Sequence, residues 1–74
     1  MMTFVPVWSY DRVVVLWNGK FYVAAYGMRL YGIGDDVRST LVDASERWVK
    51  RNGRKRHNPF RDALRAFDQG LSPG

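Results

Sequence analysis

The sequence contains no cysteine and a single histidine, His57. Without cysteine the chain has no disulfide framework and no thiolate metal site, and one histidine offers too few nitrogen ligands for an ordinary zinc centre. No apolar run approaches the roughly 20 residues that cross a bilayer, and the N-terminus lacks the basic region and apolar core of a signal peptide. We therefore expect no metal, no cofactor and no membrane contact, and a cytoplasmic location.

Side chains suited to catalysis are also few. Ser39, Ser45, His57 and the seven acidic residues show no pattern of nucleophile, base and orienting group. Asp35 and Asp36 are adjacent carboxylates, but the capping of a helix accounts for them. The sequence therefore predicts no catalytic residues and a protein that is not an enzyme.

The 74 residues are enough for one small domain, which we place at 1–70, with 71–74 as a frayed tail. A chain of this size buries a small fraction of its surface, so its stability should be marginal. Its apolar core would depend on an unusual share of large rings: three Trp, four Tyr and four Phe.

A β-hairpin is predicted over residues 12–26, where two apolar runs flank Asn18-Gly19. If those two residues form the whole loop, Trp17 pairs with Lys20 and Val13 with Ala24. Side chains then alternate between two faces. The face interpreted as the core carries Val14, Leu16, Phe21, Val23 and Ala25. The other face is aromatic with a basic edge and carries Val13, Val15, Trp17, Lys20, Tyr22, Ala24 and Tyr26. A loop of three residues would exchange the two faces.

The remaining elements complete an α+β fold: a small three- to four-stranded antiparallel sheet packed by a 16-residue helix, with a second short C-terminal helix. Further strands are predicted at 3–9 and 28–33. The first helix should span 36–51, with Asp36 as N-cap. The second should span 59–68, where Asn58-Pro59 gives a strong start signal.

The aromatic face provides the first candidate binding surface. Trp and Tyr are common anchors of protein interfaces, and aromatic side chains on sheets also stack on unpaired bases. We therefore expect Trp17, Lys20, Tyr22 and Tyr26 to bind a partner. The alternative is that the first strand or a helix folds across this face.

The second candidate surface is a basic run in the C-terminal half of a chain whose formal charge is +5. Such a run attracts polyanions or acidic protein surfaces. The residues expected to contact nucleic acid or an acidic surface are Arg47, Lys50, Arg51, Arg54, Lys55 and Arg56. The alternative is that they offset the helix dipole or form a solvated linker.

The order of elements, with Gly-Asp-Asp-Val-Arg-Ser-Thr-Leu-Val-Asp-Ala at 34–44, resembles the HicB-like antitoxin core over about residues 12–51. In that family three strands lead through a Gly-Asp-Thr-type turn into a helix, in a fold related to half of a double-stranded-RNA-binding domain. Asp36 stands where the family often has Thr, the Pro-Gly-Cys stretch before the third strand is absent, and 52–74 is too short for the DNA-binding domain of many such antitoxins. The resemblance implies a non-catalytic, typically oligomeric binder of a partner protein.

Taken together, these features predict a small non-enzymatic binding protein. The first hypothesis is a protein partner, as for an antitoxin-like regulator or a phage-type inhibitor of a bacterial nucleic-acid-handling complex. The second is direct nucleic-acid binding, in which the basic 47–56 segment contacts phosphates. A homodimer through the sheet is a third reading of the aromatic face.

Overall fold

The computed structural model describes residues 3–71, which form four strands and two helices. The strands are β1 (Val5–Tyr10), β2 (Val13–Trp17), β3 (Tyr22–Tyr26) and β4 (Arg29–Gly34), and the helices are α1 (Val37–Asn52) and α2 (Pro59–Asp68). The predicted α+β fold is confirmed. Positions 72–74 of the predicted tail lie outside the described residues.

The sheet is an antiparallel meander in which the strand order follows the chain, β1-β2-β3-β4. Two-residue connections join β1 to β2 and β3 to β4, since Tyr10 pairs with Val13 and Tyr26 with Arg29. The first connection contains Asp11 at φ 54° and the second contains Gly27 at φ 62°. The tight turns of the sheet therefore lie at these two places.

The connection between β2 and β3 is longer than predicted. Trp17 pairs with Tyr22 and Val13 with Tyr26, so the loop has four residues rather than two. A type I′ turn needs positive φ at both central residues, yet among residues 3–71 the only residue other than glycine with positive φ is Asp11. The Asn18 Oδ1 atom instead accepts from the backbone N–H groups of Lys20 and Phe21, at 2.9 and 3.0 Å, which stabilises the wider loop. Because the register moves by two residues, the predicted grouping of side chains onto two faces survives.

The assignment of the core face, however, was wrong. Both helices pack on the aromatic face, and Val13, Val15 and Ala24 at its centre are at most 1% exposed. The helices present small side chains to the sheet, such as Ala44 and Ala63. Large rings at the margins of the sheet are needed to fill the space beside these small residues, and the face with the rings therefore becomes the core.

The core is a cluster of aromatic rings around Phe60, which is fully buried. Its ring centroid lies 5.2 Å from that of Tyr31, 6.1 Å from Trp48 and 6.3 Å from Tyr26. At the β1 side of the sheet, Trp8 and Phe67 meet edge to face at 5.6 Å. Tyr residues suit these margins, because their rings pack inward while the hydroxyl group reaches water.

The predicted N-cap Asp36 is confirmed, although α1 spans Val37–Asn52, one residue later at each end than predicted, and α2 has the predicted bounds. The Asp36 carboxylate accepts from the Ser39 N–H at 2.7 Å, and the Ser39 hydroxyl reaches back to the Asp36 backbone in a capping box. The Asn58 Oδ1 atom accepts from the Phe60 N–H at 3.0 Å, with Pro59 at the first helical position. The hydrogen bonds that Asp36 accepts from the Ser39 backbone and side chain also lower the pKa of Asp36 from its ordinary value of 3.8.

An exposed ion pair joins the start of α1 to the end of α2. The Arg38 guanidinium donates to both Asp68 oxygens, at 2.9 and 3.2 Å, and this holds the pKa of Asp68 below its ordinary value of 3.8. The stability that Asp68 contributes is therefore present above pH 4 and is lost as the pH falls through the depressed folded-state pKa. We expect Asp68→Asn to melt below the wild type at pH 7, with the difference vanishing in strong acid, in thermal unfolding followed by circular dichroism.

The control for this prediction is Asp35→Asn, which removes an exposed carboxylate that has no ion pair within 4.0 Å among residues 3–71. A constant difference between the wild type and Asp68→Asn from pH 7 down to pH 2 would contradict the assigned role of the ion pair.

Candidate nucleic-acid interface

The last turn of α1 is fixed by contacts on its inner side. Trp48 is buried against Tyr31 and Phe60, and its backbone carbonyl accepts from the Asn52 side chain at 3.2 Å. The helix ends at Gly53, whose φ of 89° favours glycine and whose N–H donates to the Val49 carbonyl at 2.8 Å. Lys50 and Arg51 are exposed in this turn.

The connector from 53 to 58 carries Arg54, Lys55 and Arg56, all exposed. It is held at its far end by Asn58, which is 7% exposed and donates to the Ser45 carbonyl and hydroxyl oxygens at 3.0 and 3.1 Å. Because Gly53 holds the near end, the three cations occupy a short segment anchored at both ends. The backbone that carries these three cations is therefore held in place relative to α1.

Two shallow concavities meet at Lys50, which lines both. The larger, of about 700 Å³, also contains Arg54 and Arg61. The smaller, of about 380 Å³, contains Arg29, Arg47 and Arg51. The two concavities therefore bring four of the six predicted residues together with two cations from other elements, and the other two predicted residues lie on the adjoining connector. We call this set the basic surface: Arg29, Arg47, Lys50, Arg51, Arg54, Lys55, Arg56 and Arg61.

Arg29 and Arg61 were missed by the sequence analysis. Arg29 is the first residue of β4, and only the pairing of β4 with β3, together with the packing of α1 along β4, brings it beside Lys50. Arg61 is polar and follows Phe60 in the first turn of α2. Its exposed position was readable from the helical period, but the crossing of α2 and α1 that places it beside Arg54 was not.

Most of the basic surface has no acidic partner. Arg47 pairs with Asp43 at 3.0 Å, and the other ion pairs within residues 3–71 are Arg38–Asp68, His57–Asp62 and Arg65–Asp62. Glu46 lines the larger concavity but lies within 4.0 Å of no cation in that part of the chain. Seven cations of the basic surface are therefore free to bind an external anion: Arg29, Lys50, Arg51, Arg54, Lys55, Arg56 and Arg61.

The predicted partner-binding residues do not form one open platform. Tyr26 is half-buried, and its ring centroid lies 5.4 Å from that of Trp48, so α1 covers it. The rings of Trp17 and Tyr22 pack together near the hairpin loop, with centroids 6.1 Å apart; Trp17 is 38% exposed and Lys20 is also exposed. The expectation of a continuous open aromatic face is wrong, because the helices pack on that side of the sheet.

Within the described part of the chain, no group of three or more His, Cys, Asp or Glu side chains is placed to hold a metal ion. His57 Nε2 lies 2.8 Å from an oxygen of Asp62 in the first turn of α2. The negative charge of this carboxylate also interacts favourably with the positive end of the helix dipole. Neither helix in residues 3–71 has the length and apolarity that crossing a bilayer demands.

Comparisons with protein-family models, curated proteins and solved structures find no match to this chain. The HicB-like resemblance therefore stays a prediction from sequence.

Proposed function

We propose that this chain is a non-enzymatic nucleic-acid-binding protein that contacts the sugar–phosphate backbone. The observation that carries the proposal is the set of seven cations without acidic partners, five of which line two concavities that share Lys50, while Lys55 and Arg56 lie on the adjoining connector. Clustered cations on one surface are the electrostatic footprint of phosphate binding.

The alternative, that these cations offset the helix dipole or form a solvated linker, accounts for this arrangement less well. A cation near a helix C-terminus offsets the dipole, and that reason covers Lys50 and Arg51. It does not cover Arg29 on β4 or Arg61 in the first turn of α2, where the positive end of the helix dipole disfavours a cation. Convergence of cations from four separate segments supports a shared external ligand.

The chemistry of the surface favours contacts that do not depend on base sequence. Its large aromatic residue is Tyr31, which is half-buried and packs against Trp48 and Phe60 rather than standing free for stacking. Arg and Lys side chains would therefore provide the affinity through phosphates, which carry no sequence information. In the hypothesis of a protein partner that binds the aromatic face, Tyr26 is no longer a contact residue, because α1 covers it. A protein contact at Trp17 and Tyr22 stays a proposal.

The test measures binding of a fluorescent 20-base-pair DNA duplex and its single strands between 50 and 200 mM salt. For about five phosphate contacts, we expect the affinity to fall by about 10²–10³-fold over this range. The double variant Lys50→Ala/Arg54→Ala should bind more weakly and should reduce the salt slope by about two units.

A matched control is Lys20→Ala/Arg12→Ala, which also removes one lysine and one arginine, here from the exposed connections on either side of β2. We expect this control to retain the affinity and salt slope of the wild type. Equal losses in both variants would mean that net charge alone drives binding, and no binding at 50 mM salt would refute the proposal.

A further inference from the structure

The sheet face turned away from both helices is apolar and has no covering element within residues 3–71. We call it the open face. The strand pairing assigns to it Pro6, Ser9, Val14, Leu16, Val23, Ala25, Leu30 and Ile33. None of these residues is charged; Leu30 and Ile33 are 62% and 49% exposed, whereas Val23 and Ala25 at the centre of the face are only 6% and 8% exposed. A contiguous apolar surface of this kind on a small protein marks an interaction site.

The two edges of the sheet are poor sites for another strand. In β1, Pro6 lacks an N–H donor, and the register shifts between Pro6 and Trp8. In β4, the Ile33 N–H already donates to the Asp43 carboxylate at 2.9 Å, and Asp43 is held in turn by Arg47. Both features block edge-to-edge pairing. The open face is therefore left as the apolar surface through which the sheet can associate.

The dimensions of the open face match those of a small interface between two copies. Four strands at about 4.8 Å spacing and five to six residues at about 3.3 Å each give a footprint of about 350 Å². Side-chain relief raises the accessible area, but the low exposure of Val23 and Ala25 limits it, so two such faces would together remove somewhat less than about 1,000 Å² from water, as in weak and transient interfaces. Two twisted antiparallel sheets pack well face to face, as in β-sandwiches.

The distribution of charge also favours a second copy. The basic surface lies on α1, the connector, α2 and the helix-facing start of β4, away from the open face. Two copies joined through their open faces would therefore keep their repelling cations apart. An uncharged face offers a charged partner no complementary group, whereas it is complementary to itself, as a two-fold interface requires.

From these observations we propose that the open face is the interface of a two-fold symmetric homodimer. Its two four-stranded sheets stack on each other, with the helices and the basic surfaces on the outside. Because the interface is small, dimerisation should be reversible, with a dissociation constant of about 1–100 μM.

The test is sedimentation equilibrium of the nuclease-treated protein from about 1 to 500 μM, a range that brackets the expected dissociation constant. We expect the wild type to pass from the monomer to the dimer mass, and its melting temperature to rise with concentration. The variant Leu30→Glu/Ile33→Glu places charges on exposed positions of the open face, so it should fold with an unchanged far-ultraviolet spectrum and remain monomeric.

The matched control is Met28→Glu, which adds a carboxylate to a fully exposed side chain in the β3–β4 turn, outside the open face. It should dimerise like the wild type. A wild-type monomer at all concentrations would overturn the proposal, and so would a dimer that persists in Leu30→Glu/Ile33→Glu. Loss of the dimer in Met28→Glu alone would locate the interface elsewhere.

Discussion

Replacing Phe60 with alanine is expected to lower the free energy of unfolding by about 3–5 kcal/mol. The side chain is fully buried, and its ring contacts those of Tyr26, Tyr31 and Trp48, so truncation leaves a cavity where sheet and both helices meet. A domain of this length has a total stability of about 4–10 kcal/mol. The variant should therefore be partly or wholly unfolded at 37 °C, as measured by urea denaturation with tryptophan fluorescence.

Phe4→Ala is the matched control for this prediction. Phe4 is 38% exposed, and its ring lies edge to face with that of Phe21, with the centroids 5.9 Å apart. Its truncation should cost about 1–2 kcal/mol, less than the loss at Phe60, because the side chain is already partly exposed and no enclosed cavity forms. Similar losses at Phe4 and Phe60 would contradict the placement of the core on the helix-covered face.

The second large effect is expected for Gly32→Ala in β4. A Cβ atom at this position would lie 2.5 Å from the Thr40 carbonyl oxygen and 2.6 Å from both the nitrogen and the Cβ of Ala44. Two of these atoms belong to the α1 backbone, so no side-chain rotation relieves the clash and the helix must move away from the sheet. We expect a loss of about 2–3 kcal/mol, measured by thermal and urea unfolding.

Gly27→Ala distinguishes this steric effect from the general effect of replacing glycine. Gly27 has a positive φ of 62°, but no heavy atom lies within 4 Å of a Cβ built there. Its substitution should cost about 1 kcal/mol through backbone strain alone. If Gly27→Ala proved more damaging than Gly32→Ala, close packing of α1 on β4 would not be the constraint that glycine satisfies.

The sequence determined the helices and their boundaries well, because the signals there are local. The carboxylate of Asp36, the amide of Asn58, the fixed φ of Pro59 and the positive φ of Gly53 each act on backbone groups within a few residues. Such interactions depend little on the rest of the fold.

The choice of core face was not readable from the sequence, since both faces of the hairpin are apolar. Strand alternation sorts residues into two sets but does not say which set the helices cover. That choice depends on the fit between rings such as Tyr26 and Tyr31 and the small residues Ala44 and Ala63 on the helices. The prediction of a two-residue hairpin loop was also wrong. The side chain of Asn18 accepts two backbone hydrogen bonds and so stabilises a loop of four residues.

The basic surface was predicted in part. The run from Arg47 to Arg56 is contiguous in the chain and so was visible directly. Arg29 and Arg61 join it through the packing of α1 on β4 and on α2, which are contacts between distant segments. Within residues 3–71 no ion pair joins Lys50 to Glu46, one helical turn before it, which leaves Lys50 available to an external anion.

The meander has a consequence for the way this chain reaches its native state. Every pair of neighbouring strands is joined by a connection of two to four residues, and α1 packs along the strand that immediately precedes it. Closing such short loops costs little chain entropy, and a low mean sequence separation between contacting residues favours a fast folding rate. The segment β4–α1, with only Asp35 and Asp36 between its two elements, has a connection as short as the tight turns of the sheet. We therefore expect the β3–β4 hairpin and α1 to form the nucleus on which the remaining strands assemble.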